Sequence, residues 1–332
     1  MKLPTVAVAT PVGERRRVCA LDEAAGPDRP SLVDVTTAHA AMLEARDAGA
    51  PLDLAESITP PEMVQFLRVG DRALAAAEEA LAFARETDRR AGPDGGRLRF
   101  DPDGGGVRPL APLPRPNSFR DFMAFEEHVE GALDGDVPDV WYDMPVYYKG
   151  NPDTIVGPGA TVEWPDYSSI MDYELELAAV IGKRGTDVPA EDAGEYIAGY
   201  TVLDDFSARD IQGEEMGARL GPAKGKDFAS ALGPYLVTAD AFDPTEAHMT
   251  AEIDGDVVSE GTPGEMYHSF AEIVEHVSQS ESLYPGDVLG SGTVGGGCGL
   301  ETGRFVEDGE TVALTVDGIG TLENRVVSGG ED

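Results

Sequence analysis

Along YELELAAVIG, residues 173–182, charged and apolar positions first alternate and then give way to a run of small apolar residues. Side chains of a strand alternate between its faces, so this pattern predicts a strand with Glu174 and Glu176 on one face and Tyr173, Leu175 and Leu177 on the other. Beta-branched and aromatic runs between glycine, proline and aspartate signals predict further strands. They cover TVAVATPV and RRVCALDE near the start, then MPVYYKG, TIVGPGATVEW, YTVLDDF, PYLVT, MTAEIDGDVVSEG and ETVALTVDGIGTLENRVV. Two helical passages are expected between about Asp34 and Asp88. In the second, DRALAAAEEALAFARETD, Asp71 serves as N-cap and Leu74, Ala77, Leu81 and Ala84 form an apolar stripe. Helices are also predicted over DFMAFEEHVEGAL, PAEDAGEYIAG, SARDIQGEEMGARL and SFAEIVEHVSQS.

Strands dominate without regular alternation with helices, which predicts an α+β fold, predominantly β, with a mixed or antiparallel core rather than a doubly wound sheet. Between Asp88 and Pro116 the chain is crowded with glycine, proline and arginine. That composition suggests a boundary between an N-terminal domain of strands plus two helices, residues 1–112, and a second domain, residues 113–332.

The charge adds a constraint. Sixty-two acidic residues face twenty-five basic ones over 332 residues, a net charge of −37, and only five of the cations are lysines: Lys2, Lys149, Lys183, Lys224 and Lys226. Acid excess spread along the whole chain with so little lysine is similar to proteins of halophilic archaea, and it opposes a nucleic-acid partner, which needs clustered cations. No apolar run is long enough to span a bilayer and the N-terminus does not read as a signal peptide, so a soluble, cytoplasmic protein without a membrane partner is expected. Cys19 and Cys298 are too few for a disulfide framework or a four-cysteine zinc site and read as ordinary thiols.

Candidate chemistry starts with the carboxylates. Glu174 and Glu176 on one face repel unless a divalent cation lies between them, hard cations being held by carboxylate oxygens. An isolated E-x-E on an acidic protein better suits a solvated edge strand, so the other segments decide. YTVLDDFSARDIQ predicts a strand ending at Asp204 and Asp205, with Ser207 as N-cap of the next helix; neighbouring aspartates face opposite ways, so one of the two joins the glutamates. On that helix Arg209, Gln212 and Met216 share a face. Asp121 precedes His128 by seven residues, two helical turns, so a carboxylate and an imidazole would point into one cavity. His39, His248, His268 and His276 read as structural.

Taken together, RDFMAFEEHV, MPVYYKG, DYELELAAVIG, LDDFSARDIQ, LGPAKGKDFASALGPYLVT and GSGTVGGG resemble the fumarylacetoacetate hydrolase family over roughly residues 115–320, in the family's motif order. The resemblance implies a catalytic domain with a mixed β-sandwich roll, in a homodimer, preceded by a smaller N-terminal domain. It implies a divalent metal, Mg²⁺ first and Mn²⁺ or Ca²⁺ otherwise, held by Asp121, Glu174, Glu176 and Asp205. His128 then acts as general base, Lys226 and Gln212 stabilise developing charge, and Arg209, Tyr148, Ser230 and Thr293 contact substrate or metal-proximal groups.

The activity so implied is hydrolysis of a carbon–carbon bond in a β-diketo acid such as an acylpyruvate, the small-molecule partner being a 2-keto or β-diketo acid. Alternatives within the family are a 2-keto-3-deoxy sugar-acid dehydratase, a 2-hydroxyhepta-2,4-diene-1,7-dioate isomerase and an oxaloacetate decarboxylase; a binding protein without turnover is the alternative of another class. The chain departs from the fumarylacetoacetate-cleaving pattern in three places. Met216 replaces a tyrosine, EGALDGDVPDVWYD lacks an arginine for the distal carboxylate, and Ala313 stands near the position where those members carry the glutamate that orients the histidine. Glu127 or Glu301 is expected to take over that last role.

Overall fold

The computed structural model describes residues 1–24, 26, 30–132 and 137–329. Among these residues the largest sheet has eight strands. Its centre is the Leu175–Ile181 strand, every residue of which is buried. Ile197–Asp204 pairs antiparallel on one side, followed by Ser230–Thr238 and the short Lys2–Leu3. On the other side Asp287–Gly290 pairs antiparallel and then runs parallel to Ser118–Phe122, which Tyr147–Gly150 flanks.

The two faces of the central strand explain the layering. Leu175, Leu177, Ala179 and Ile181 pack with Met249, Ala251, Val312 and Leu314 of a second, five-stranded sheet and with Ile273 and Val274 of the Phe270–Ser278 helix. This is the mixed sandwich; each large apolar side chain so buried stabilises it by roughly 1.5–3 kcal/mol. Ala178 and Val180 point the other way, against Val33, Ala38, Phe66 and Ala77 of the N-terminal layer. Glu174 and Glu176 share that second face by strand alternation, at the strand end away from the helices.

The N-terminal layer is a five-stranded sheet with four helices, Val35–Ala45, Pro51–Ile58, Met63–Val69 and Asp71–Glu86, among the described residues, where the pattern predicted two passages. The last helix buries Ala73, Ala77, Ala80, Leu81 and Ala84, and its cap is Gly70, with Asp71 as the first helical residue. The glycine-rich segment after it supplies Arg99–Phe100 and Val107–Leu110 to this sheet.

Three local expectations are corrected. Asp121 lies in the Ser118–Phe122 strand and His128 on the Glu126–Ala132 helix, so they do not share a helix face; the last residue of the expected helix, Leu133, lies outside the described residues. Ser207 is not an N-cap: Ser207–Ala208 pairs as a strand with Met171–Asp172, and Ala208 precedes the Arg209–Gly217 helix. Ala190–Glu195 is a 3-10 turn. By contrast, Ser269 forms a full capping box with Glu272, a device worth roughly 0.5–2 kcal/mol. No helix among the described residues is long and apolar enough to cross a membrane.

Candidate metal centre and its cavity

Sheet register builds the centre of the site. The parallel pairing puts Gly290 opposite Asp121. A Cβ at Gly290 would stand 2.3 Å from Asp121 Oδ1 and 3.1 Å from Glu176 Oε2, so the bare glycine is what admits both carboxylates. Asp121, Glu174 and Glu176 are all buried and each brings an oxygen within 4.8 Å of the other two. Asp121 Oδ1 and Glu176 Oε2 have no hydrogen-bond partner among the described residues. Burial, reinforced by the neighbouring carboxylates, pushes Asp121 and Glu176 well above the ordinary carboxylate range.

Glu174 behaves oppositely. Burial alone would raise it, but Lys226 and Arg209 outweigh that and hold it below the usual range. Lys226 Nζ lies 2.5 Å from Glu174 Oε2 and 2.7 Å from Asp205 Oδ2; the same carboxylates keep its ammonium above the ordinary lysine value despite burial. Arg209 Nη1 lies 2.8 Å from Glu174 Oε1 and its Nε donates to Asp172 Oδ2 at 2.7 Å.

The sequence-predicted residues therefore meet, with one difference in arrangement. Asp205 is buried beside the cluster, but its carboxylate is engaged by Lys226, by the Tyr148 hydroxyl and by Ser230 Oγ at 2.7 Å, and it is not among the three that converge. Asp204 faces away and accepts the Glu174 N–H at 3.0 Å. Thr293 Oγ1 donates to Glu176 Oε1 at 3.4 Å, and Gln212 Oε1 accepts from Arg209 Nη1 at 2.9 Å. Tyr148, Ser230 and Thr293 thus hold carboxylates.

A cavity of about 520 Å³ opens onto these groups, with Phe122, Met123, Val146, Met216, Pro222 and Leu300 as its apolar walls. His128 lines it too. Its Nδ1 lies 2.9 Å from Glu301 Oε2, which leaves Nε2 as the nitrogen for the cavity. Glu301 is itself fixed: Gly296 N–H donates to Oε1 at 3.1 Å and the Cys298 thiol to Oε2 at 3.1 Å. Of the two glutamates expected near the histidine, Glu301 takes the position. Cys298 is more than a bystander thiol; burial raises it above its ordinary value, so its proton stays on sulfur as a donor. Glu301 and Cys298 follow the glycine run GSGTVGGG, one of the motifs that carry the family resemblance.

The profile "Fumarylacetoacetate (FAA) hydrolase C-terminal" matches residues 117–327. The chain belongs to this family. Oxaloacetate tautomerase FAHD2A, mitochondrial, of Homo sapiens is 32% identical over 86% of this chain and 86% of its own length. The crystal structure of 5-carboxymethyl-2-hydroxymuconate delta-isomerase from Mycobacterium smegmatis superimposes with a TM-score of 0.66 at 27% identity, covering 100% of both chains. Maleylpyruvate hydrolase from Sphingobium sp. SYK-6, solved with manganese(II) and pyruvate, shares the fold with a TM-score of 0.69 at 22% identity over 99% of this chain and 100% of its own. The family thus holds hydrolases, isomerases and tautomerases of small organic acids.

The residues present fit a divalent cation. Three buried carboxylates converge with two oxygens unpartnered, an arrangement whose desolvation and repulsion a hard cation relieves. The donors are all oxygen, which suits Mg²⁺ or Mn²⁺ and not a thiolate-seeking metal.

Proposed function

We propose that this chain is a divalent-metal enzyme that forms and resolves the enolate of a small 2-oxo acid, with keto–enol tautomerisation of an oxaloacetate-like acid as its reaction. One observation carries the reading: the converging carboxylates Asp121, Glu174 and Glu176 open onto the same cavity as the His128–Glu301 pair. The likeness to an oxaloacetate tautomerase over 86% of the chain favours tautomerisation over the other chemistries of the family.

Bound by Asp121, Glu174 and Glu176, Mg²⁺ or Mn²⁺ supplies Lewis-acid polarisation of the 2-oxo acid. The other roles belong to side chains. Lys226 and Arg209, cationic and buried, favour negative charge on the substrate oxygens, Gln212 steadies Arg209, and Tyr148, Ser230, Thr293 and Asp205 hold the acids and the lysine in place. His128 Nε2 removes the proton of the enol hydroxyl, and C3 gains a proton from the imidazolium as the keto form appears; the carbon–carbon double bond becomes a single bond and the C–O bond becomes a carbonyl. Glu301 keeps the imidazole in the tautomer this needs. General acid–base catalysis of this kind contributes about 10²–10⁴-fold.

Hydrolysis of a carbon–carbon bond in a β-diketo acid is the second reading. His128 backed by Glu301 favours it, because the pair equally suits deprotonation of water. A homodimer acting in the cytoplasm goes with both readings. To test them, protein stripped with a chelator and then reloaded with Mg²⁺ or Mn²⁺ is given enol oxaloacetate and, separately, acylpyruvates, following enol absorbance and product identity. The expected result is metal-dependent loss of enol absorbance with oxaloacetate intact. Cleavage of acylpyruvates with no effect on the enol moves the assignment to hydrolysis, and no turnover of either with metal bound overturns enolate chemistry.

A further inference from the structure

Asp172 is fully buried, was not singled out by any sequence pattern, and touches both halves of the site. Its carboxylate takes four donors. Oδ2 accepts Arg209 Nε at 2.7 Å and the Leu300 N–H at 3.0 Å; Oδ1 accepts the Gly299 N–H at 2.7 Å and the Tyr173 N–H at 3.0 Å. Arg209 is the cavity guanidinium, and its Nη2 is buried without a hydrogen-bond partner among the described residues. Gly299 and Leu300 lead directly into Glu301, which holds His128 Nδ1 at 2.9 Å. One carboxylate therefore fixes the cation on one wall and the short helix that orients the base on the other. Residue 299 must be small for this: a Cβ there would stand 2.5 Å from Asp172 Oδ1.

We propose that Asp172 is the positioning residue that couples Arg209 to the His128–Glu301 pair, an inference that rests on the enolate reading above. The four donors require a carboxylate. An amide of the same size turns two N–H bonds toward N–H donors and releases either the arginine or the 299–300 backbone. Asp172 is not among the converging carboxylates, so its loss removes none of them. Side chains that orient such first-contact groups typically matter by about 10–100-fold when removed.

The test is Asp172→Asn in the full chain. Expected are an unchanged circular dichroism spectrum, Mn²⁺ binding retained by calorimetry, a kcat lower by about 10–100-fold and a raised KM as Arg209 loses its aim. The imidazole resonance of His128, assigned among the five histidines by its absence in His128→Gln, shifts in its titration because Glu301 has moved. In the Glu301→Gln background the same substitution costs far less, since both act through the base. An unmoved His128 titration with kcat and KM as in the wild type overturns the proposal, as does full additivity with Glu301→Gln. If Asp172→Asn does not fold, Leu300→Pro, which removes one of the four donors in the first turn of the helix together with an apolar side chain of the cavity wall, must reproduce the His128 shift in smaller measure. Wild-type protein inactive on every enolisable 2-oxo acid sinks the enolate reading instead, and the His128 titration still judges Asp172.

Discussion

His128 Nδ1 and Glu301 Oε2 stand 2.9 Å apart, joined across 173 residues of chain. His128→Gln is expected to lower kcat/KM by about 10²–10⁴-fold and Glu301→Gln by a smaller factor, with Mn²⁺ affinity unchanged in both. Steady-state kinetics beside calorimetric titration of the metal checks this; a loss of metal binding in either variant would place the pair among the metal's ligands.

Asp121 and Glu176 have the opposite signature. Burial and the neighbouring carboxylates disfavour charge on each when no cation is bound, so Asp121→Asn and Glu176→Gln, which remove that cost, should leave the metal-free protein as stable or more stable. The stabilisation that metal confers, about 2.7 kcal/mol at a concentration a hundredfold above the dissociation constant, should vanish in both. Scanning calorimetry with and without Mg²⁺ or Mn²⁺ reads both effects, and variants that keep the full metal-dependent rise refute the ligand assignment.

Gly290→Ala tests the cradle. The new Cβ meets Asp121 Oδ1 at 2.3 Å and Leu203 Cδ2 at 2.7 Å, both held by a packed sheet. We expect a cost of roughly 1–3 kcal/mol in urea unfolding together with weaker metal binding. Unchanged metal affinity would mean that the carboxylates have room elsewhere.

Much of the site was readable in the sequence because strand alternation is strict. Glu174 and Glu176 lie on one face as their spacing requires, and the adjacent aspartates do face apart, Asp204 toward the Glu174 amide and Asp205 toward Lys226. The seven-residue step from Asp121 to His128 misled, since it matches two helical turns while the strand ends at Phe122 and the helix begins at Glu126. Lone spacing cannot tell one helix from a strand, a turn and a helix. Ser207 misled similarly: an S-x-x-D before a helix reads as a cap, yet pairing with Asp172 holds it extended. Asp172 itself was illegible because nothing local marks it; its partners lie 37 and 127 residues downstream.

Away from the site, Asp22 accepts Arg85 Nε at 2.9 Å and Arg99 Nη1 at 2.7 Å. Burial alone would raise its pKa, but the two guanidiniums outweigh burial and hold it below the ordinary aspartate value. A depressed folded-state value stabilises above the unfolded pKa and is lost as pH falls through the folded one. Asp22→Asn should therefore cost roughly 1–2 kcal/mol at pH near 7, and the gap to wild type should begin to narrow as pH falls through about 4 and close only below the depressed folded value. Urea titrations at both pH values measure it; a gap that persists in acid assigns the effect to packing.

The parallel seam between Ser118–Phe122 and Asp287–Gly290 has a kinetic consequence. Strands so far apart in the chain pair late, because loop closure must be met before their contacts form, and non-local topologies fold slowly. Asp121 faces Gly290 across that seam, so the cation's cradle takes shape only when the sheet closes. During refolding, metal capture should track the final step and not collapse, which makes the ion a clock for the native state.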